Sequence, residues 1–179
     1  MSSSTLFLFI NLVGGSAVLG SYIAGLYFYP DTRSSLWGSL GETSQKTFVI
    51  SMVIAAIGYV IFILFMGFTK DGNQFSQYFI WGLFSPGLVC ALFLIFSAIW
   101  MPATIAYINT NNIIWWVITV AVLWISAFWV LTLLIGIILS GLDRSTPFTL
   151  LAILGLGYVV FHCLILDAIV WVIKFPKLY

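Results

Sequence analysis

Tyr158, His162, Cys163, Asp167 and Trp171 stand close together in a run, Phe148 to Ile173, that is otherwise almost wholly apolar. These side chains can do chemistry: an imidazole titrates near neutral pH and ligates tetrapyrroles, and a carboxylate holds a proton or a cation. Inside a membrane such groups are costly enough that each is a functional candidate by default. On an α-helix, at about 100° per residue, the five-residue step from His162 to Asp167 turns about 140°. The spacing therefore predicts that the two do not converge as an acid–base pair. Tyr158 and His162 share one face at i, i+4, and Cys163, Asp167 and Trp171 share another. Asp167 has two readings, a carboxylate hydrogen-bonded within the bundle or one that snorkels toward the interface and Lys174. His162 reads either as a core histidine bonded to a neighbouring helix or as an axial ligand to haem or chlorophyll. Trp100, Trp124 and Trp129 lie deep in their spans, and Trp124 with Phe128, one turn apart, would offer aromatic surface to a flat ligand or to neighbouring helices. The candidate ligand-binding residues are thus Tyr158, His162, Asp167, Trp100, Trp124 and Trp129.

The elements that must position them follow from composition. Of 179 residues, 63 % are apolar and 18 % aromatic, and charged residues make up only 6 %, against about a quarter in a typical soluble domain. So few charges cannot coat a surface against water, and lipid must be the main solvent and partner. A net charge of +1 with no Lys/Arg cluster excludes nucleic acid as a partner. One His and two Cys are too few for a zinc or iron–sulfur site, so no metal site is expected. Cys90 and Cys163 lie in different spans and read as small apolar residues. With no Ser-His-Asp order, His-Glu-x-x-His helix, paired carboxylates or glycine-rich nucleotide loop, the chain is not expected to be an enzyme.

The apolar runs are long and continuous, which predicts helices rather than barrel strands. They cover about 6–29, 48–68, 80–108, 113–139 and 148–173. The expected fold is all-α: one polytopic membrane domain, residues 1–179, built as a bundle of five transmembrane helices. Every charge except Asp167 falls between or beyond these runs. Turn chemistry agrees: Tyr29-Pro30-Asp31 stops the first helix, Asn112 is placed to cap the fourth, and Thr146-Pro147 reads as a cap followed by a first-turn proline. In the third run, Ser85 and Pro86 read as the helix start with Phe79 to Phe84 at the interface, and Pro102 reads as a capping proline near the helix end. Leu36-Trp37-Gly38 in the first connection reads as a segment lying on the membrane. The first run lacks a basic leader and is too long for a signal peptide. Lys/Arg bias sets Arg33, Lys46, Lys174 and Lys177 on one side against Lys70 and Arg144 on the other, which favours the N-terminus outside and the C-terminus in the cytoplasm.

In the first span, Ser16, Gly20 and Ala24 form one row of small residues and Ala17, Ser21 and Gly25 a second, spacing that lets helix backbones approach closely, with Ser51 and Ala55 as a matching face on span two. Trp37, Trp81, Trp115, Trp116 and Trp171 fall near span ends, where an indole suits the headgroup boundary. Five spans in under 200 residues, a long first connection containing a Trp, and an aromatic-rich composition together resemble the TspO family of tryptophan-rich membrane proteins. The resemblance implies a non-enzymatic binder, sensor or transporter of a hydrophobic small molecule such as a tetrapyrrole or sterol. It is one of architecture: the Pro30–Thr47 connection has one Pro and one Trp where that family's first loop is rich in both. The alternative is a structural or accessory subunit, with a homo-oligomer or a larger membrane complex as its setting. A binder requires deep Trp or His side chains facing inward, whereas a subunit requires small-residue and aromatic faces pointing outward.

Overall fold

In the computed structural model, residues 3–69 and 85–175 are described, and they contain no β-strand. Five long apolar helices account for the chain's membrane character. They are α1 (Ser3–Phe28), α2 (Glu42–Phe68), α3 (Pro86–Thr110), α4 (Ile113–Leu139) and α5 (Pro147–Val160). The last continues unbroken as a π-helical segment, Phe161–Trp171, and a final turn, α6 (Val172–Lys174). The protein is a multi-pass integral membrane protein. The expectations for Phe79 to Phe84, Lys70, Trp81 and Lys177 lie outside the described residues.

Helix ends follow the local chemistry. Ser85 accepts a hydrogen bond from the Leu88 amide at 3.2 Å, and Asn112 accepts one from the Ile114 amide at 2.9 Å, each satisfying an otherwise orphaned donor of a first turn. Asn111 ends α3 in the left-handed region at φ 49°. Thr146 stands where a cap is expected, but its hydroxyl bonds the Thr149 hydroxyl at 2.6 Å instead of an amide. Just before it, the backbone N–H and hydroxyl of Ser145 both donate to Asp143 and hold this exposed carboxyl below its ordinary range. Pro102 does not end α3, which runs on to Thr110. A helix broken in lipid would strand backbone groups that no water can satisfy, so continuing past one missing N–H costs less.

The helices pack in the cyclic order α1, α3, α4, α5, α2 and back to α1. Backbone meets backbone between α2 and α5, where a Cβ added to Gly58 would sit 2.6 Å from the Gly155 carbonyl oxygen. On α1 the seam runs through Phe7, Asn11, Gly14, Val18 and Gly25, with Gly14 against Leu94 and Gly25 against Met101 and Ile105 of α3. Ser16, Gly20 and Ala24 are exposed and form no contact face within the chain, nor does Ala17; Ser21 is half-buried and bonds its own helix at the Val18 carbonyl. The reason is geometric. A four-residue row drifts about 40° per step around a helix, whereas a seam facing one partner follows the 3.5-residue spacing seen here. Ser51 and Ala55 are buried as a packing face, but Ser51 faces span five rather than span one.

The first connection folds as two 3₁₀ turns, Pro30–Thr32 and Ser35–Trp37. It is stitched to the far end of span five: Trp171 Nε1 donates to the Leu36 carbonyl at 2.9 Å, and the Ser39 amide and hydroxyl donate to the Lys174 carbonyl at 3.0 and 2.6 Å. Leu36 is buried rather than laid on a lipid surface. Trp116 and Trp171 sit at span ends as expected, yet both are buried in a cluster with Tyr107 and Phe175. Trp116 and Phe175 stack with centroids 5.2 Å apart, and Trp171 and Phe175 lie 4.6 Å apart. Ring-on-ring packing outweighs a place at the headgroups where several aromatics meet.

Candidate functional site

The π-helical segment overturns one expectation and builds the site. A π-helix closes i→i+5 hydrogen bonds and so turns about 80° per residue, which brings residues five apart to within about 40° of one another. His162 and Asp167, separated by five, therefore face the same way, with His162 Nε2 3.5 Å from Asp167 Oδ2. That distance is an electrostatic contact, longer than a formed hydrogen bond. The Asp167 carboxylate turns to His162, and its side chain keeps 29 % of its surface exposed. Extended π structure often marks functional positions.

The other imidazole nitrogen is held by α2. Ser51 Oγ lies 2.9 Å from His162 Nδ1, and the Tyr158 hydroxyl donates to Ser51 Oγ at 3.2 Å. The tautomer that sets an N–H against the Asp167 carboxylate has its hydrogen on Nε2, and the Ser51 proton then points at Nδ1. Nδ1 then accepts and Nε2 carries the hydrogen that faces Asp167. Tyr158, Ser51, His162 and Asp167 thus form one polar chain through an apolar bundle, following the helix axis for about 12 Å. His162 and Ser51 are both buried.

Beside the carboxylate end, Trp100 of α3 packs against Tyr22 of α1 at 5.5 Å and against Trp171 at 5.4 Å between ring centroids. The indole Nε1 of Trp100 is buried without a hydrogen-bond partner. Tyr22 and Cys163 lie within electrostatic range of Asp167. A buried N–H left unpaired costs free energy, and it is repaid when a ligand or water supplies an acceptor. Tyr158, His162 and Asp167 are thus linked through Ser51, and Trp100 approaches them by way of Tyr22 and Trp171. Trp124 is 47 % exposed on the outer face of α4 next to Phe128 and does not join them, while Trp129 packs partly against the core cluster that Tyr158 and Cys163 also border.

Sequence reasoning missed Ser51 as part of the site, because a serine in a transmembrane helix usually bonds its own backbone. It also missed Tyr22 and a second polar knot. In that knot the Tyr59 hydroxyl donates to Asn11 Oδ1 at 2.7 Å, and Asn11 Nδ2 donates to the Phe7 carbonyl at 2.8 Å. Asn11, a polar amide in an apolar span, was the available signal. An open cleft of about 410 Å³ on the outside of α2 is lined by Trp37, Glu42, Gln45, Lys46, Val49 and Ile50 and by none of the polar-chain residues. Among the described residues no cluster of metal-ligating side chains occurs.

No family model matches this chain, and neither a characterised protein nor a solved structure shows significant similarity to it.

Proposed function

We propose that this protein is a non-enzymatic membrane module that binds a hydrophobic small molecule, as a sensor, carrier or transporter. The observation that carries this reading is the meeting of His162 and Asp167 within an apolar bundle, with the unpartnered Trp100 indole packed on Tyr22, which lies within electrostatic range of Asp167. An apolar pocket with a few convergent polar groups is the usual form of a ligand site. Of the two ligand classes that the TspO-like architecture implies, a hydroxyl-bearing sterol suits these groups better. Its oxygen accepts from Trp100 Nε1 and its hydrogen donates to Asp167. A tetrapyrrole bound through iron would need a free imidazole nitrogen, whereas both His162 nitrogens face protein groups here. In detergent-solubilised protein, a fluorescent sterol is expected to quench tryptophan emission saturably. Trp100→Phe, which removes the donor and keeps the ring, should weaken that binding roughly three- to tenfold. Equal affinity of both proteins, or no saturable quenching, would defeat the sterol reading, while a Soret band in the purified protein would favour the tetrapyrrole.

A second reading has its own observation. The exposed Ser16, Gly20 and Ala24 row of α1 and the exposed Trp124 and Phe128 of α4 suit a subunit that meets other helices in lipid. Co-purification of a fixed set of larger chains in mild detergent would support it. We further propose that the N-terminus is outside and the C-terminus cytoplasmic, supported by Arg33, Lys46 and Lys174 gathering at the end where the first connection meets span five. Cysteines introduced at Ser3 and Lys177 should then be labelled by an impermeant reagent from opposite sides, Ser3 from outside; labelling of both from one side would rule this topology out, and Ser3 labelled only from the cytoplasmic side would reverse it.

A further inference from the structure

The polar chain has a direction, and that direction is what a proton path needs. Tyr158 donates to Ser51, Ser51 points its proton at His162 Nδ1, and His162 presents Nε2–H to the Asp167 carboxylate. Every hydrogen lies on the Tyr158 side of its link, and the only acceptor without a hydrogen of its own is the carboxylate at the end. We propose that Tyr158, Ser51 and His162 form a proton relay that loads Asp167, making Asp167 a proton-binding site within the membrane. The inference rests on the reading of this chain as the functional site and not on the identity of the hydrophobic ligand.

The step balances. The Tyr158 oxygen takes a proton from outside the chain as its own moves to Ser51 Oγ, the Ser51 proton moves to His162 Nδ1, and the Nε2 proton moves to Asp167 Oδ2. The carboxylate becomes a neutral acid, the imidazole remains neutral in its other tautomer, and one proton has entered. Loss of the carboxyl proton, a flip of the His162 ring that returns its hydrogen to the Asp167 side, and rotation of the two hydroxyls restore the start. The 3.5 Å gap at Nε2 is closed by a side-chain rotation of Asp167, so this link is the gate. The groups that face the gate are few. Cys163 lies on the same helix and Tyr22 on α1, with Tyr59 of α2 within range of Cys163. The α4 helix, packed against the π segment, has no titratable side chain. Of the described Lys and Arg side chains, Arg33 donates to the Leu26 carbonyl, Arg144 donates to the Ile138 carbonyl and Lys46 pairs with Glu42, while Lys174 stands in the closing turn packed against the π segment. Among the described residues no Lys or Arg stands within ion-pair distance of the carboxylate, and His162 is the ionisable group in contact with it.

The test is infrared difference spectroscopy of the full chain in lipid vesicles after a jump from alkaline to acid pH. A carboxylic-acid carbonyl band should appear in the native protein and be missing in Asp167→Asn. Ser51→Ala and His162→Gln should slow its appearance at least tenfold, and Ser51→Thr, which keeps the hydroxyl, should restore the native rate in a way a packing role would not require. Circular dichroism identifies any variant that fails to fold, and for such a variant the Ser51→Ala and Ser51→Thr comparison decides. An unchanged band rate in Ser51→Ala and His162→Gln, or no band assignable to Asp167, would overturn the relay. Proton loading in a protein that binds neither sterol nor porphyrin would overturn the ligand reading alone.

Discussion

Gly58→Leu is expected to lower the melting temperature of the detergent-solubilised protein by roughly 6–12 °C, the shift that about 3 kcal/mol produces in a chain of this size. At Gly58 a Cβ would meet the oxygen, carbonyl carbon and Cα of Gly155 at 2.6 to 2.9 Å. The obstacle is backbone, which cannot swing aside as a side-chain tip would, so α2 and α5 must separate. That separation draws Ser51 away from His162 and Tyr158, so the polar chain opens together with the packing. Gly20 is the control, since nothing lies within 4 Å of a Cβ added there. Gly20→Leu should leave the monomer's melting temperature within the usual surface range, roughly ±0.5 kcal/mol. A shift at Gly20 as large as at Gly58 would show that the open face of α1 is covered by another chain.

Asp167→Leu is the second large effect, expected to cost about 1–3 kcal/mol because it leaves the buried Nε2–H of His162 facing hydrocarbon. Asp167→Asn keeps an acceptor oxygen and should retain part of that stability. The pair offers a sharper test than either change alone. Removing one partner strands the other, whereas replacing both with apolar groups removes the unpaired group as well. The double variant His162→Leu, Asp167→Leu should therefore lose less than the sum of its single changes, by about 0.5–3 kcal/mol. Strict additivity in the melting temperatures of the four proteins would mean that His162 and Asp167 do not interact.

Much of this molecule was legible in its residues. Long apolar runs, charges confined to connections, and Ser85, Asn111 and Asn112 at the helix ends determined five spans and most of their limits, because lipid requires each span to satisfy its own backbone. The same residues could not say which face of a helix meets which neighbour. In lipid a buried side chain and an exposed one are equally apolar, so Ser16, Gly20 and Ala24 look like a packing face although they point outward. The candidate site was half legible. Tyr158, His162, Asp167 and Trp100 stood out by type, but their convergence depends on a local departure from α geometry. At about 100° per residue His162 and Asp167 diverge, and in the π segment they meet. That change of winding leaves no mark in the order of the residues; it accompanies the packing of span five between α2 and α4 and the stitches from Trp171 and Lys174 to the first connection. Composition determined that this is a five-span membrane protein with ionisable groups in its interior, and only tertiary packing decided that those groups form one chain.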